Sequence, residues 1–395
     1  MKKETNNSNT DLDFIVCHSE EIDTEDAVKE LIEQAESKLN GRIPNACILF
    51  SAIDYEFQTF LDEITMKWNG IQLVGGTTDG EMSSELGFAE DSVVMLLFKS
   101  DSIVFSAGVG DSLSEDIDNA CKKAVVEATE GFDSEPRLCF TIPGNVGTQN
   151  DKIIASLKNL LNDKVPIFGG VPGDQWRFKV QYQFCGNKVY TDSVPILLFS
   201  GSFVFEYGVD SGWIPLGEPG KVTKTEGNIV YEINNKPAID FYKNSLGELN
   251  EAGPEFPILV LNEQNNILFQ RTPFQVLTDQ NGAIVFLGEI NLGAKVQIAN
   301  APRDTIIDGS RKSINDALNK LGKDPKVKGC LFISCAGRKL LLGTRTKDEI
   351  ATAREILGND VPMAGFYSYS EVCPLKMDPK NSALHNQTFI TLLFG

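Results

Sequence analysis

A pattern that occurs three times along the chain constrains its fold more than any other feature. Asn45 to Ala52, Arg137 to Gly144 and Lys328 to Cys335 each run from a polar lead-in through a cysteine and a short apolar stretch to a small or loop-forming residue. A helix-length spacer later comes an apolar run ending in small residues, at Gln72 to Gly76, Pro166 to Gly170 and Pro362 to Gly365. A third apolar run closes each group, at Asp91 to Phe98, Asp192 to Phe199 and Gln387 to Phe394. Gly169 to Phe199 spans the same 30 residues as Ala364 to Phe394. These groups are longer than the roughly 20 to 50 residues of solenoid or propeller repeats. They read as small α/β modules.

Apolar periodicity places the helices and strands within each group. Asp23 and Thr24 offer N-caps to a helix through Ala27, Leu31, Ala35 and Leu39, which Gly41 ends. Strand, helix, strand in that order predicts a parallel crossover pair. The runs 92–98 and 103–109 are expected to form an antiparallel hairpin, and so is the stretch 194–209. A third unit is expected to open near Lys295. Between Trp213 and Glu289, turn signals at Gly227-Asn228, Asn234-Asn235, Asn265-Asn266 and Asn281-Gly282 separate short strand-like runs. Pro237 sits where a single helix, Ala238 to Leu246, would begin. The expected fold class is α/β, with mixed parallel and antiparallel sheets from three related βαβαββ-like units and an inserted small antiparallel sheet plus helix.

Charge and composition narrow the function classes. The formal charge of −19 disfavours nucleic acid and anionic membranes, because both need a basic surface. No apolar run approaches the roughly 18 residues that cross a bilayer, and no signal-type segment follows Lys2-Lys3-Glu4. A cytoplasmic location is expected. The eight cysteines form no Cys-x-x-Cys pair, and only His18 and His385 could complete a metal cluster. Cys47, Cys139 and Cys330 read as buried apolar filler.

Ligands of parallel crossover folds lie beyond the carboxyl ends of the strands, where loops and helix N-termini present backbone N–H groups. Six such loops are rich in Gly, Thr, Tyr and single charges, which suits a polar small molecule. Gly75, Gly76, Gly169 and Gly170 serve equally well as turn residues. Arg338 offers a planar fork for a carboxylate or phosphate, or an ion pair with an acid such as Glu371. Glu81 and Glu371 close corresponding loops of units one and three, with Asp174 expected in that place in unit two. The candidate ligand site comprises Arg338, Glu371, Tyr367, Tyr369, Asn386, Thr388 and Cys335, with Thr77, Thr78 and Glu81 at the corresponding rim of the first unit. Its expected occupant is a small zwitterion or carboxylate.

Gly75-Gly76-Thr77-Thr78-Asp79-Gly80-Glu81, Trp213-Ile214-Pro215-Leu216-Gly217, Ser334-Cys335-Ala336-Gly337-Arg338, Gly365-Phe366-Tyr367-Ser368-Tyr369-Ser370-Glu371 and Leu384-His385-Asn386-Gln387-Thr388 occur in that order. Together they resemble the FIST family of bacterial sensory proteins, from Phe14 to Gly395. The chain departs from the family pattern at Ser370, where Gly commonly precedes the Glu, and at Gly173-Asp174.

Residues 1–12, rich in Asn, Ser and Lys with too few apolar groups to pack, are expected to be a disordered tail; the resemblance implies a FIST N-terminal domain of two units at 13–213 and a FIST C-terminal domain at 214–395. The last divides into an inserted β-rich segment, 214–290, and the third unit, 291–395. It also implies a cytoplasmic sensory module of signal transduction that binds an amino acid or similar small ligand, without catalytic residues or a resident cofactor. Its partners would include a kinase, chemoreceptor or cyclic-dinucleotide enzyme. A haem-binding nitric oxide sensor, with His385 as the axial ligand, is one alternative. An enzyme using Cys335, His385 and Glu371 as nucleophile, base and orienter is the other.

Overall fold

The computed structural model describes residues 11–130, 132, 134–145, 149–247, 252–322 and 326–395. The first run comprises β1 (Asp13–Ser19), α1 (Thr24–Leu39), β2 (Ala46–Ser51), α2 (Phe57–Lys67), β3 (Gln72–Thr77), β4 (Glu81–Ser83), β5 (Gly87–Ala89) and β6 (Val93–Lys99). The second comprises β7 (Ile103–Asp111), α3 (Ile117–Thr129), β8 (Pro136–Thr141), α4 (Asn150–Leu160), β9 (Ile167–Val171), β10 (Gln183–Cys185), β11 (Lys188–Tyr190) and β12 (Ser193–Gly201). After β13 (Phe205–Asp210) come β14 (Ile214–Glu226), β15 (Ile229–Ile233), β16 (Lys236–Pro237), α5 (Ala238–Leu246), β17 (Ile258–Leu261), β18 (Ile267–Arg271), β19 (Pro273–Leu277), β20 (Ala283–Phe286) and β21 (Lys295–Asn300). The chain finishes with α6 (Arg303–Leu321), β22 (Gly329–Cys335), α7 (Ala336–Leu342), α8 (Lys347–Leu357), β23 (Met363–Ser368), β24 (Ser370–Leu375), β25 (Asp378–His385) and β26 (Phe389–Phe394).

These strands form a mixed α/β architecture in which three six-stranded sheets share one order. They read β1-β6-β2-β3-β10-β11, β7-β12-β8-β9-β24-β25 and β13-β26-β22-β23-β4-β5. The crossover pairs β2–β3, β8–β9 and β22–β23 are parallel, as the strand-helix-strand spacing predicts. The last two strands of each sheet come from a different run: β4–β5 extends the third sheet, β10–β11 the first and β24–β25 the second. Each sheet is thereby completed by a hairpin on loan from another.

Both expected hairpins are corrected. β6 pairs with β1 and β2, while β7 pairs with β12. β13 likewise pairs with β26 and leaves β12 to β7 and β8. The short turns between these runs carry the chain from one sheet into the next, since a closing strand buried mid-sheet has neighbours on both sides already. The third sheet therefore takes its first strand, β13, from ahead of the insertion rather than opening near Lys295. The insertion is an eight-stranded antiparallel sheet of β14 to β21 with α5, larger than expected because β21 belongs to it.

Strand alternation sorts the side chains between two kinds of core. Ala46, Ile48 and Phe50 of β2 face a central core shared by all three sheets, while Cys47 and Leu49 pack outward against α1 and α2. The closing phenylalanines of the three sheets, Phe98, Phe199 and Phe394, meet at that centre with ring centroids 5.3, 5.9 and 6.1 Å apart. Cys47, Cys139 and Cys330 all lie on the outward, helix-covered faces, and all eight cysteines are buried and free.

α1 begins at the Asp23 cap, whose carboxylate accepts from Glu25 N and Asp26 N, and ends at left-handed Asn40 rather than at Gly41. Gly75 and Gly169 lie inside strands, not turns. A Cβ there would come within 2.1 Å of the Leu49 carbonyl oxygen and 1.8 Å of that of Thr141, so glycine is demanded by the adjoining strand. Of the expected N-terminal tail, residues 1–10 lie outside the described residues. Leu12 is packed in the central core, and the exposed Asp11 accepts from Ser100 Oγ at 2.6 Å.

Candidate functional site

The loaned hairpins bring one polar residue to the same place in each sheet. Glu81 stands opposite Phe366, Gln183 opposite Gly76 and Glu371 opposite Gly170, each the fourth residue of the facing register when counted from Met363, Leu73 and Ile167. Each accepts a hydrogen bond from the hydroxyl that precedes or opens a closing strand: Ser92 Oγ to Glu81 at 2.5 Å, Ser193 Oγ to Gln183 at 3.1 Å, Thr388 Oγ1 to Glu371 at 2.7 Å. The expectation that Asp174 fills this place in the second unit is corrected. Gln183 does, because the chain between Asp174 and β10 loops out before re-entering a sheet.

Burial pushes Glu81 up to about 8 and Glu371 up to about 7, against the pull of the hydrogen bonds they accept. In the first sheet the amide of Gln183 avoids that desolvation, donating to the Gly144 carbonyl at 2.9 Å.

Arg338 does not face a ligand cavity. It is fully buried, with Nε 3.1 Å and Nη2 2.6 Å from Glu349 Oε1, Nη2 also donating to Ile306 O and Ser310 Oγ, and Nη1 donating to Ser211 O. The acid that pairs with it is Glu349, on α8, and not Glu371. Tyr367 joins the same network by donating to Glu349 Oε2 at 2.6 Å. With all three guanidinium nitrogens engaged, Arg338 and Tyr367 hold α6, α7 and α8 onto β22 and β23. The expected anion clamp is corrected to an internal ion pair.

The other expected residues divide among three places. Thr77 accepts from Tyr182 N, and Thr78 bonds Glu81, both in the first sheet's rim. Asn386 ties the insertion to β24, donating to Ser370 Oγ at 2.9 Å and accepting from Thr272 N at 3.2 Å. Glu371 also accepts from Thr388 N at 2.9 Å. Cys335 and Tyr369 line a pocket of about 200 Å³ at the carboxyl end of β22.

That pocket is roofed by elements the sequence reading did not single out. Trp176 and Phe178 enter from the loop after β9, Thr272 and Phe274 from the insertion, and Gln387 from the turn before β26. Phe178 stacks on Tyr369 with centroids 5.3 Å apart, and Trp176 lies 5.8 Å from the same ring. Three of these residues hold left-handed backbone, with φ of +62° at Trp176, +49° at Phe178 and +61° at Gln387. Such conformations cost a non-glycine residue about 1 kcal/mol or more and gather at functional sites.

Gly337 admits Gln387, since a Cβ at 337 would lie 2.5 Å from Gln387 Nε2. Gln387 Oε1 and Thr272 Oγ1 are buried without a hydrogen-bond partner, while Gln387 Nε2 donates to Pro254 O at 3.0 Å. Two aromatics in a Gly/Pro-bounded loop were the available sequence signal for Trp176 and Phe178. No local signal marked Thr272 or Phe274.

The loop is anchored by Asp174. Burial pushes its carboxyl up, but bonds from Tyr369 Oη at 2.6 Å, Lys179 N, Gln181 Nε2 and Phe178 N outweigh burial and hold it below the usual carboxylate range. Lys339 bridges the first sheet to α7, 3.0 Å from both Asp79 and Glu90. Burial pushes Asp79 up to about 6 in spite of that cation.

Of the alternative triad, Glu371 stands opposite His385 in the β24–β25 register and is a hydrogen-bond partner of the Cys335 thiol. His385 Nε2 sits 3.1 Å from the Cys373 carbonyl and 3.5 Å from its sulfur, and burial lowers the imidazole to about 4. Burial also pushes the Cys335 thiol well up, the opposite of an activated nucleophile. For haem, His385 Nε2 is already engaged with the Cys373 carbonyl, and His385 lines a different cavity from the one that Cys335 and Tyr369 line.

Models of the FIST N domain and the FIST C domain match residues 45–236 and 238–374. An uncharacterised protein of Methanocaldococcus jannaschii is 26% identical over 185 residues, covering 45% of this chain and 35% of its own length. An uncharacterised protein of Mycobacterium tuberculosis is 26% identical over 197 residues, covering 47% and 50% respectively. The matched part of the chain thus spans a third to a half of these curated relatives. Among solved structures, a cyanuric acid hydrolase from A. caulinodans aligns over 96% of this chain and 99% of its own, at 8% identity and a TM-score of 0.33, too weak a likeness to bear on activity. Among the described residues no helix is long and apolar enough to cross a membrane.

Proposed function

The chain belongs to the FIST family, whose domains are sensory and signal-transduction domains, and from that premise we propose that it senses a small organic ligand bound in the pocket between β22, the β9–β10 loop and the insertion. The observation that carries this reading is the convergence of three strained residues, Trp176, Phe178 and Gln387, on one cavity with two unmatched polar atoms. Strain and unmet hydrogen bonds cost stability, and a ligand that fills the cavity recovers part of it.

With Arg338 committed to Glu349, the ligand class shifts from an anion held by a guanidinium to a small molecule with an apolar body and a compact polar head. An amino acid with an apolar side chain meets that description. Its side chain would lie among Trp176, Phe178, Phe274 and Tyr369, and its polar head would face Gln387 and Thr272. A binding role is supported by the Cys335 thiol, which burial and the neighbouring Glu371 push well up. The β9–β10 loop contacts the first sheet through Gln175, whose Nε2 donates to Asp91 Oδ1 at 2.7 Å. That bridge supplies a path from ligand to surface. The receiving partner we propose is a separate cytoplasmic kinase, chemoreceptor or cyclic-dinucleotide enzyme.

A thermal-shift screen of apolar amino acids and small organic acids tests the proposal. Ligand at about a hundred times its Kd adds roughly 2.7 kcal/mol, a melting-point rise of a few degrees for a chain of this size. The rise is expected to vanish in Trp176→Ala and Gln387→Ala. Equal stabilisation of wild type and both variants would sink the proposal.

A further inference from the structure

A second cavity, of about 370 Å³, lies on another side of the His385–Thr388 segment, between the β13–β14 turn, α6 and β18. Its walls carry two polar atoms that are buried and unmatched: the indole Nε1 of Trp213, a residue 5% exposed, and Oε1 of Gln270, a residue 2% exposed. The Gln270 amide is held from its nitrogen side, where Nε2 approaches the carbonyls of Asn386 and Gln387 at 3.4 and 3.5 Å, which leaves its oxygen unmatched. Trp213 offers only a donor, and Gln270 Oε1 only an acceptor.

The surrounding charge is balanced. Lys376 is tied to Asp210 and Asp316 at 3.1 and 2.7 Å, and the remaining cation, Lys312, stands one turn from Asp308 on α6. No unopposed charge faces the cavity, so an ion entering it would lose water without gaining a counter-charge. The apolar remainder, with Ile214, Ile267 and Phe269, suits a hydrocarbon or ring.

We propose that this cavity is a second ligand site, for a neutral molecule bearing a carboxamide, urea or lactam group, whose carbonyl accepts from Trp213 Nε1 and whose N–H donates to Gln270 Oε1. The site is independent of the aromatic pocket, though the two share a segment: Thr388 lines this cavity and Gln387 the other.

Nicotinamide and nicotinate, alike except for a neutral amide in place of a carboxylate, separate the possibilities. The three tryptophans give three indole N–H resonances in ¹⁵N-labelled protein, and Trp213→Phe identifies one by its loss. Nicotinamide is expected to shift the Trp213 resonance saturably and leave that of Trp176 unmoved, with nicotinate binding at least about tenfold more weakly. Calorimetry is expected to show a loss of about tenfold in affinity for Trp213→Phe and, separately, for Gln270→Met, each removing one hydrogen bond. Equal binding of nicotinate, a shift of Trp176 alone, or a Trp213 resonance that stays still into the millimolar range would each overturn the proposal, the last indicating an indole satisfied by water.

Discussion

At Glu81 and Glu371 burial disfavours the carboxylate more than the neighbouring hydroxyls favour it, which raises Glu81 to about 8 and Glu371 to about 7. Between the ordinary carboxyl value of 4.5 and the folded values of about 7 and 8, the native state holds more protons than the unfolded chain. Stability therefore falls as pH rises through that window. His18 and His385 act oppositely: burial lowers both to about 4, so stability is lost as pH falls from 6.5 towards 4. The two effects oppose at pH 4.5 to 6.5, and the carboxyls act without them above it. The urea midpoint is expected to drop from pH 6.5 to pH 8.5. Glu81→Gln should flatten that slope and add on the order of a few kcal/mol at pH 8.5, as the glutamine already present at position 183 suggests. A Glu81→Gln midpoint lowered equally at every pH would contradict this.

Arg338 yields a separate expectation at the same scale: Arg338→Ala should cost about 3 to 5 kcal/mol by chemical denaturation, because Glu349 is left buried and uncompensated. Arg338→Met combined with Glu349→Leu should recover most of it. A stable Arg338→Ala protein with weakened ligand binding would restore the clamp reading. The sequence made Arg338 conspicuous without its direction, since α7 turns it towards an acid eleven residues further along the chain.

Among the elements, the β9–β10 loop carries the most consequence, because it leaves the second sheet, roofs a pocket at the end of the third and touches the first. Arg177 pairs with Asp54 there, and Asp174 gathers four donors. Asp174→Ala should lower stability by roughly 2 to 3 kcal/mol, since hydrogen bonds to charged groups contribute about 1.5 to 3 each before solvent replaces some of them. It should also weaken ligand binding, read from quenching of Trp176 fluorescence. Unchanged affinity would mean that the aromatic roof is held by packing alone. Pro172, Gly173 and Asp174 marked this segment as a loop in the sequence, but the same composition suits any turn. Its crossing to another sheet depends on where β10 finds an edge.

For the whole molecule, the exchange of hairpins makes the three sheets interdependent. Residues 11–201 alone would leave β9 without β24–β25 and strand β4–β5 without β23, exposing unpaired edges of the kind that aggregate. That fragment is expected to run as aggregate or expanded chain in size exclusion, and the intact protein to unfold with coincident far-ultraviolet and tryptophan transitions. A monomeric fragment that unfolds cooperatively would show the exchange to be dispensable. The amino-acid sequence by itself determined the α/β class, the parallel crossover pairs, the α1 cap and the β-rich insertion, because periodicity, caps and turn residues act over a few neighbours. Tertiary structure alone decided which edge each hairpin joins, that Gln183 stands level with Glu81 and Glu371, and that Arg338 turns inward while Trp176, Phe178 and Phe274 meet. Those outcomes depend on contacts between residues far apart in the chain, whose free energy exists only once the sheets have closed on a common core.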